Sequence, residues 1–103
     1  MKGKEKMKVK GNTDVKKLAG AIAGFIREEG KAELQAIGAA AVNQAVKAVI
    51  TARGYLISEG INVAIVPSFH VMTMEGQETT MIHMDVVTNR EGIKKENDED
   101  GNC

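Results

Sequence analysis

The sequence predicts an α/β protein, more narrowly an α+β two-layer sandwich, in which two helices cover one face of a mixed four-stranded sheet. Two amphipathic helical patterns alternate with four strand patterns in the order βαβαββ. Right-handed crossovers place both helices on the same face of the sheet. Pro67 lies in the third strand pattern, and proline cannot donate a ladder hydrogen bond. An edge position for that strand favours the sheet order 1-2-4-3.

The first half of the chain alternates strand and helix. Residues 7–10 alternate apolar and basic side chains, which is typical of a strand with one solvated face. Asp14 is the predicted N-cap of a helix whose apolar residues recur at helical spacing and which ends at Gly30. Residues 31–37 form the second predicted strand, and Gly38 leads directly from it into an alanine-rich helix.

The second half predicts a long β-hairpin. The helical pattern fades near residues 52–54, where we expect the second helix to stop. Residues 61–74 carry apolar side chains at alternate positions, and a turn at 74–77 leads to the return strand at 79–88. The sheet face that no helix covers is called the open face below.

Charge is unevenly distributed, although the formal net charge is zero. Residues 1–17 hold seven lysines and two acidic residues, whereas residues 91–103 hold two lysines and five acidic residues. We therefore expect a flexible basic arm at 1–6, a single domain at 7–88 and a disordered acidic tail at 89–103.

Composition narrows the function classes. Two Phe, one Tyr and no Trp leave few rings for stacking on nucleobases.

Cys103 is the only cysteine, so a disulfide within one chain is impossible and a reducing compartment fits. No apolar run follows the N-terminal lysines or reaches the length of a membrane span. We expect a cytoplasmic protein without membrane insertion.

The strand-to-helix junction at Gly38 is a candidate anion site. The first N–H groups of a helix lack intrahelical partners and carry partial positive charge, which favours phosphate or carboxylate. Asn43, Gln44 and Lys47 follow within the first turns, and Lys16 and Lys17 widen the positive patch. The same pattern is also typical of a small-residue helix packed closely on a sheet.

Histidines on the open face raise a metal or proton-transfer hypothesis. If the hairpin closes at residues 75 and 76, His70 lies diagonal to His83, with Asp85 on the same face. No cysteine joins them and they form no closed ligand set, so we expect ordinary structural roles and no metal or cofactor. No nucleophile has an evident base, so we expect no enzyme.

One block carries a family resemblance. The segment ELQAIGAAAVNQAVKA at residues 33–48, followed by ARGY at 52–55, resembles the stage V sporulation protein S family. The resemblance extends over about residues 7–87. It implies a small bacterial regulator of sporulation and cell division.

The strand and helix order and the GAAAVNQA helix start are also similar to the Alba chromatin proteins, which bind DNA or RNA as dimers. That resemblance implies contacts from basic residues near the first strand and helix, from the second helix start and from the hairpin. The hairpin around Gly76 departs from this pattern, because it carries Glu75 and Glu78 and no basic residue. By position, the nucleic-acid-binding residues implied are Lys8, Lys10, Lys16, Lys17, Asn43, Gln44 and Lys47, and Gly38 joins them from the anion site at the helix start.

Two partner classes remain open. Nucleic acid of unknown type is one, contacted through the lysines and the helix start. The other is protein: Met, Val and Thr on the open face favour a homodimer or tetramer, or docking to a division or sporulation protein without nucleic acid. Salt separates the two, since phosphate-driven binding weakens steeply with salt and apolar docking does not.

Overall fold

The computed structural model describes residues 6–89. Most of the predicted basic arm and acidic tail lies outside these residues. In the described part, no helix combines the length and apolar character needed to cross a bilayer. The elements are β1 Met7–Val9, α1 Val15–Glu29, β2 Lys31–Ala36, α2 Ala39–Leu56, a 3₁₀ turn Ile57–Glu59, β3 Val63–Met74 and β4 Gln77–Thr88.

The sheet has the predicted order, β1-β2-β4-β3. β1 pairs with β2 in parallel, and β4 pairs antiparallel with both β2 and β3. Pro67 lies in β3 at the sheet edge, as its missing N–H requires. Glu75 and Gly76 both have positive φ, the conformation of a two-residue type I′ turn, so the ladder runs without interruption to Met74 and Gln77. The predicted start of β4 at residue 79 is therefore two residues late.

Both predicted caps of α1 are confirmed. The Asp14 side chain accepts a hydrogen bond from the Lys17 backbone N–H at 3.1 Å. Gly30 adopts the left-handed conformation and donates its N–H to the Ile26 carbonyl. The predicted stop of α2 near residues 52–54 is wrong, because the helix continues to Leu56. Burying Leu56 is worth about 1.5–3 kcal/mol, more than the roughly 1 kcal/mol that a helical glycine costs.

The core lies between the helices and one face of the sheet. Val63 and Ile65 at the start of β3 pack against it, whereas Phe69 and Val71, further along the same strand face, are 75% and 65% exposed. The predicted strand start at Ile61 is also wrong, since Ile61 is buried but precedes β3 and donates its N–H to the Leu56 carbonyl. Fully buried large side chains at the core centre are Ile22, Ile26, Leu34, Leu56 and Val86.

Candidate nucleic-acid interface

Both helices begin at one end of the sheet, where β1 and β2 finish; we call this the helix-start end. Gly38 precedes α2 with φ 95° and ψ 155°, a conformation that favours glycine. No side chain caps α2 at this position. The first N–H groups of α2 have no intrahelical partner, and Ala39 and Ala40 are exposed. The structure therefore leaves α2 without a side-chain cap at the junction where the anion site is predicted.

The turn between β1 and α1 packs against the start of α2. Gln44 Nε2 donates to the Thr13 carbonyl at 2.8 Å, in a partly buried position. A Cβ on Gly11 would lie 3.0 Å from the Ala40 Cβ, so glycine permits this close approach. The side-chain amide of Gln44 thus donates one hydrogen bond that holds the turn to α2.

The predicted lysines are all exposed, and they fall into groups. Lys8 and Lys10 flank a groove of about 360 Å³ on the open face. Lys16 and Lys17 occupy the first turn of α1. Lys47 lies nine residues after Gly38, about 13 Å along the α2 axis. The remaining groove residues are Val9, Gly11, Gln35, Ile37, Met72, Met74 and Met81.

A second groove lies on the helix side, between the start of α2 and the projecting part of the hairpin. Its volume is about 570 Å³, and Gly38 and Asn43 line it on the side of α2. Phe69 forms part of its opposite wall. The other lining residues are Ala39, Val42, Val46, Thr80 and Ile82. Among the predicted site residues, only Gly38 and Asn43 line this groove, so the structure does not merge all eight into one cavity.

The open face carries a cluster that sequence reasoning only partly identified. His83 Nε2 lies 3.0 Å from Asp85 Oδ1 and 3.9 Å from Glu33 Oε1. The His70 and His83 ring centroids are 5.2 Å apart, which agrees with the expected diagonal placement. Glu33 was missed as a member, although strand alternation places it on the open face; its cross-strand pairing with Asp85 supplies the missing signal.

The opposite end of the sheet, the helix-finish end, is closed by side-chain hydrogen bonds. Arg27 contacts Glu59 through two nitrogens, at 2.8 and 3.2 Å, and this hydrogen-bonded carboxylate raises the pKa of the Arg27 guanidinium. Arg53 Nε donates to Asn62 Oδ1 at 2.8 Å. Asn89 Nδ2 donates to the Gly60 carbonyl at 3.4 Å. Arg27, Arg53 and Asn89 therefore all have side-chain partners within the fold at this end.

The architecture is that of the Alba-like fold. The structure is similar to Alba from Thermoplasma volcanium, with a TM-score of 0.56 and 14% sequence identity, over 82% of this chain and 98% of that chain. The family model of Stage V sporulation protein S (SpoVS) matches residues 5–89. The chain belongs to the SpoVS family. The predicted family and the predicted fold are both confirmed.

Proposed function

We propose that this SpoVS protein is a small, non-enzymatic bacterial regulator of sporulation and cell division that binds nucleic acid through its helix-start end. The uncapped start of α2 at Gly38 carries the proposal, together with exposed lysines in β1, in the first turn of α1 and further along α2. Such a terminus favours phosphate through its N–H groups and partial charge. The predicted domain, residues 7–88, is the binding unit in this proposal.

The charge distribution also favours the helix-start end as the nucleic-acid-binding surface. Residues 6–17 contain five lysines, and Asp14, their only acidic residue, is engaged in capping α1. Exposed lysines that neutralise phosphates release condensed counterions, which drives binding independently of sequence. The scarcity of aromatic residues also favours backbone contacts over base stacking.

In this proposal the hairpin tip does not contact nucleic acid. Glu75 and Glu78 are exposed at or beside the tip, so phosphates would be repelled there. Lys8 and Lys10 instead extend the contact surface along β1, and Lys16 and Lys17 extend it along α1. Nucleic acid then crosses the helix-start end without inserting the tip into a groove.

The test is fluorescence anisotropy with labelled double-stranded DNA, single-stranded DNA and RNA of equal length, each at low and moderate salt. We expect saturable binding to at least one of them that weakens as salt rises. Absence of binding to all three at low salt would reject the proposal.

A specific observation favours a second proposal, a homodimer that uses the helix side of β3 rather than the open face expected from the sequence. Phe69 and Val71 are exposed on the helix side of β3, next to a groove lined by Val42 and Val46 of α2. A second copy that covers this apolar surface would remove it from water. Oligomerisation is compatible with nucleic-acid binding, and a tetramer or a division or sporulation partner would use the same kind of apolar contact.

Sedimentation velocity tests the homodimer, with Phe69→Ser as the variant and Ile50→Ser as its control. Ile50 is 62% exposed but lies outside that groove. We expect the parent and the control to dimerise at micromolar concentration and Phe69→Ser to remain monomeric. A parent that is monomeric throughout this range would reject the homodimer.

A further inference from the structure

Three potential metal ligands converge on the open face, away from the start of α2. Glu33 of β2 pairs directly with Asp85 of β4, and His83 lies two residues before Asp85. Alternation along both strands puts all three side chains on one face. One ligand atom from each lies within 4.8 Å of the others.

His83 is the most constrained member of this cluster. The residue is only 8% exposed, and its Nε2 lies between the two carboxylates. Its Nδ1 is buried and has no hydrogen-bond partner among residues 6–89. Nε2 is therefore the nitrogen that would bind an ion between the two carboxylates, and Nδ1 takes no part in the cluster.

The distances are close to those that a metal ion needs. Zinc binds histidine nitrogen and carboxylate oxygen at about 2.0–2.2 Å, so neighbouring ligand atoms lie roughly 3 Å apart. The distance from His83 Nε2 to Asp85 Oδ1 is 3.0 Å, a hydrogen bond in the metal-free protein that a bound ion would replace. The distance from Nε2 to Glu33 Oε1 is 3.9 Å, and a rotation of the flexible Glu33 side chain can close the difference.

We propose that Glu33, His83 and Asp85 form a binding site for a divalent transition-metal ion, with Zn²⁺ as the probe. Two carboxylates and a neutral imidazole match the charge of the ion, and mixed nitrogen and oxygen ligands suit zinc. The sequence alone predicts no metal site because the set considered there, His70, His83 and Asp85, does not include Glu33. Glu33 is the ligand that completes the set.

Lys6 is the competing cation in the metal-free protein. Its Nζ lies 4.0 Å from Glu33 Oε1, with the side chain 47% exposed. An exposed ion pair of this kind contributes little and is readily displaced. Removing Lys6 takes a positive charge away from Glu33, so Lys6→Gln should tighten metal binding.

Isothermal titration with ZnCl₂ tests the site, using the untagged full chain with Cys103→Ser so that the terminal thiol does not bind zinc. We expect one saturable site in this background. Glu33→Gln and Asp85→Asn should each weaken binding at least tenfold, and Lys6→Gln should strengthen it. Glu78→Gln removes the same charge from the hairpin and should bind as the background does.

Thermal melting separates loss of the site from loss of the fold. Zn²⁺ should raise the melting temperature of the Cys103→Ser protein, because a ligand that binds only the folded state stabilises it. A variant that combines Glu33→Gln and Asp85→Asn should melt cooperatively without responding to Zn²⁺. Equal zinc affinity in this variant and its background would overturn the proposal, as would equal weakening by Glu78→Gln.

Discussion

The two ends of the sheet are built differently. At the helix-finish end, Arg27, Arg53 and Asn89 all use their polar groups in hydrogen bonds within the fold. At the helix-start end, α2 begins at Gly38 without a side-chain cap, and the hairpin projects with Phe69 exposed. The three side chains at the helix-finish end have partners within the fold, whereas the helix-start end leaves α2 uncapped and lysines and apolar side chains exposed. This division suggests that stability and binding are assigned to separate parts of the molecule.

Core truncation should produce the largest effect on folding. Leu34 is fully buried in β2 beneath the helices. Leu34→Ala removes buried apolar surface and leaves a cavity, so we expect a loss of about 2–5 kcal/mol in the free energy of unfolding. Urea denaturation of the parent and the variant measures this loss. A loss below about 1 kcal/mol would mean that the core between the helices and the sheet is not the main source of stability.

Gly38→Ala should have the next largest effect, because φ 95° strains any other residue. We expect about 1–3 kcal/mol of destabilisation, since this backbone region is almost exclusive to glycine. Gly54→Ala is the matched control: it lies inside α2, has no atom within 4 Å of its added Cβ, and should stabilise by about 0.5–1 kcal/mol. Thermal melting of both variants measures the contrast. Equal effects of the same sign would contradict the observed start of α2.

Phe69→Ser should scarcely change the stability of the monomer, despite removing a large apolar side chain. Phe69 is 75% exposed, so we expect a change within about 0.5 kcal/mol when unfolding is measured at concentrations where the protein is monomeric. Val66→Ser, on the opposite face of β3 and 51% exposed, is the control. A loss of 2 kcal/mol or more in Phe69→Ser alone would show that Phe69 belongs to the core.

Local signals made much of the fold predictable. The caps of α1 at Asp14 and Gly30 depend on residues within one helix, and Pro67 alone favoured the edge position of β3. Long-range burial was harder to predict. The helical pattern of α2 weakens before Leu56, and only the packing of Leu56 into the core explains why the helix continues.

The candidate sites were predictable to different degrees. Gly38 could be identified because its role is local to the strand-to-helix junction. The hydrogen bond of Gln44 to the Thr13 carbonyl could not be predicted from the sequence, because it depends on how a distant turn packs against α2. Glu33 was overlooked for a similar reason: alternation gives its face, but only the register of β2 against β4 places it beside Asp85.

The most direct test of the proposed division between the two ends is the salt dependence of nucleic-acid binding. The site variant combines Lys16→Gln and Lys17→Gln in the first turn of α1 with Lys47→Gln in α2. The control combines Arg27→Gln, Lys31→Gln and Arg53→Gln, which removes the same charge near the helix-finish end. Thermal melting first establishes that both variants are folded at the assay temperature.

The measured quantity is the slope of the logarithm of the binding constant against the logarithm of salt concentration. Each lost phosphate contact flattens this slope by about 0.9, so the site variant should be flatter than the parent by up to about three units. The control should keep the slope of the parent. Identical slopes in all three proteins, or flattening only in the control, would contradict the assignment of binding to the helix-start end.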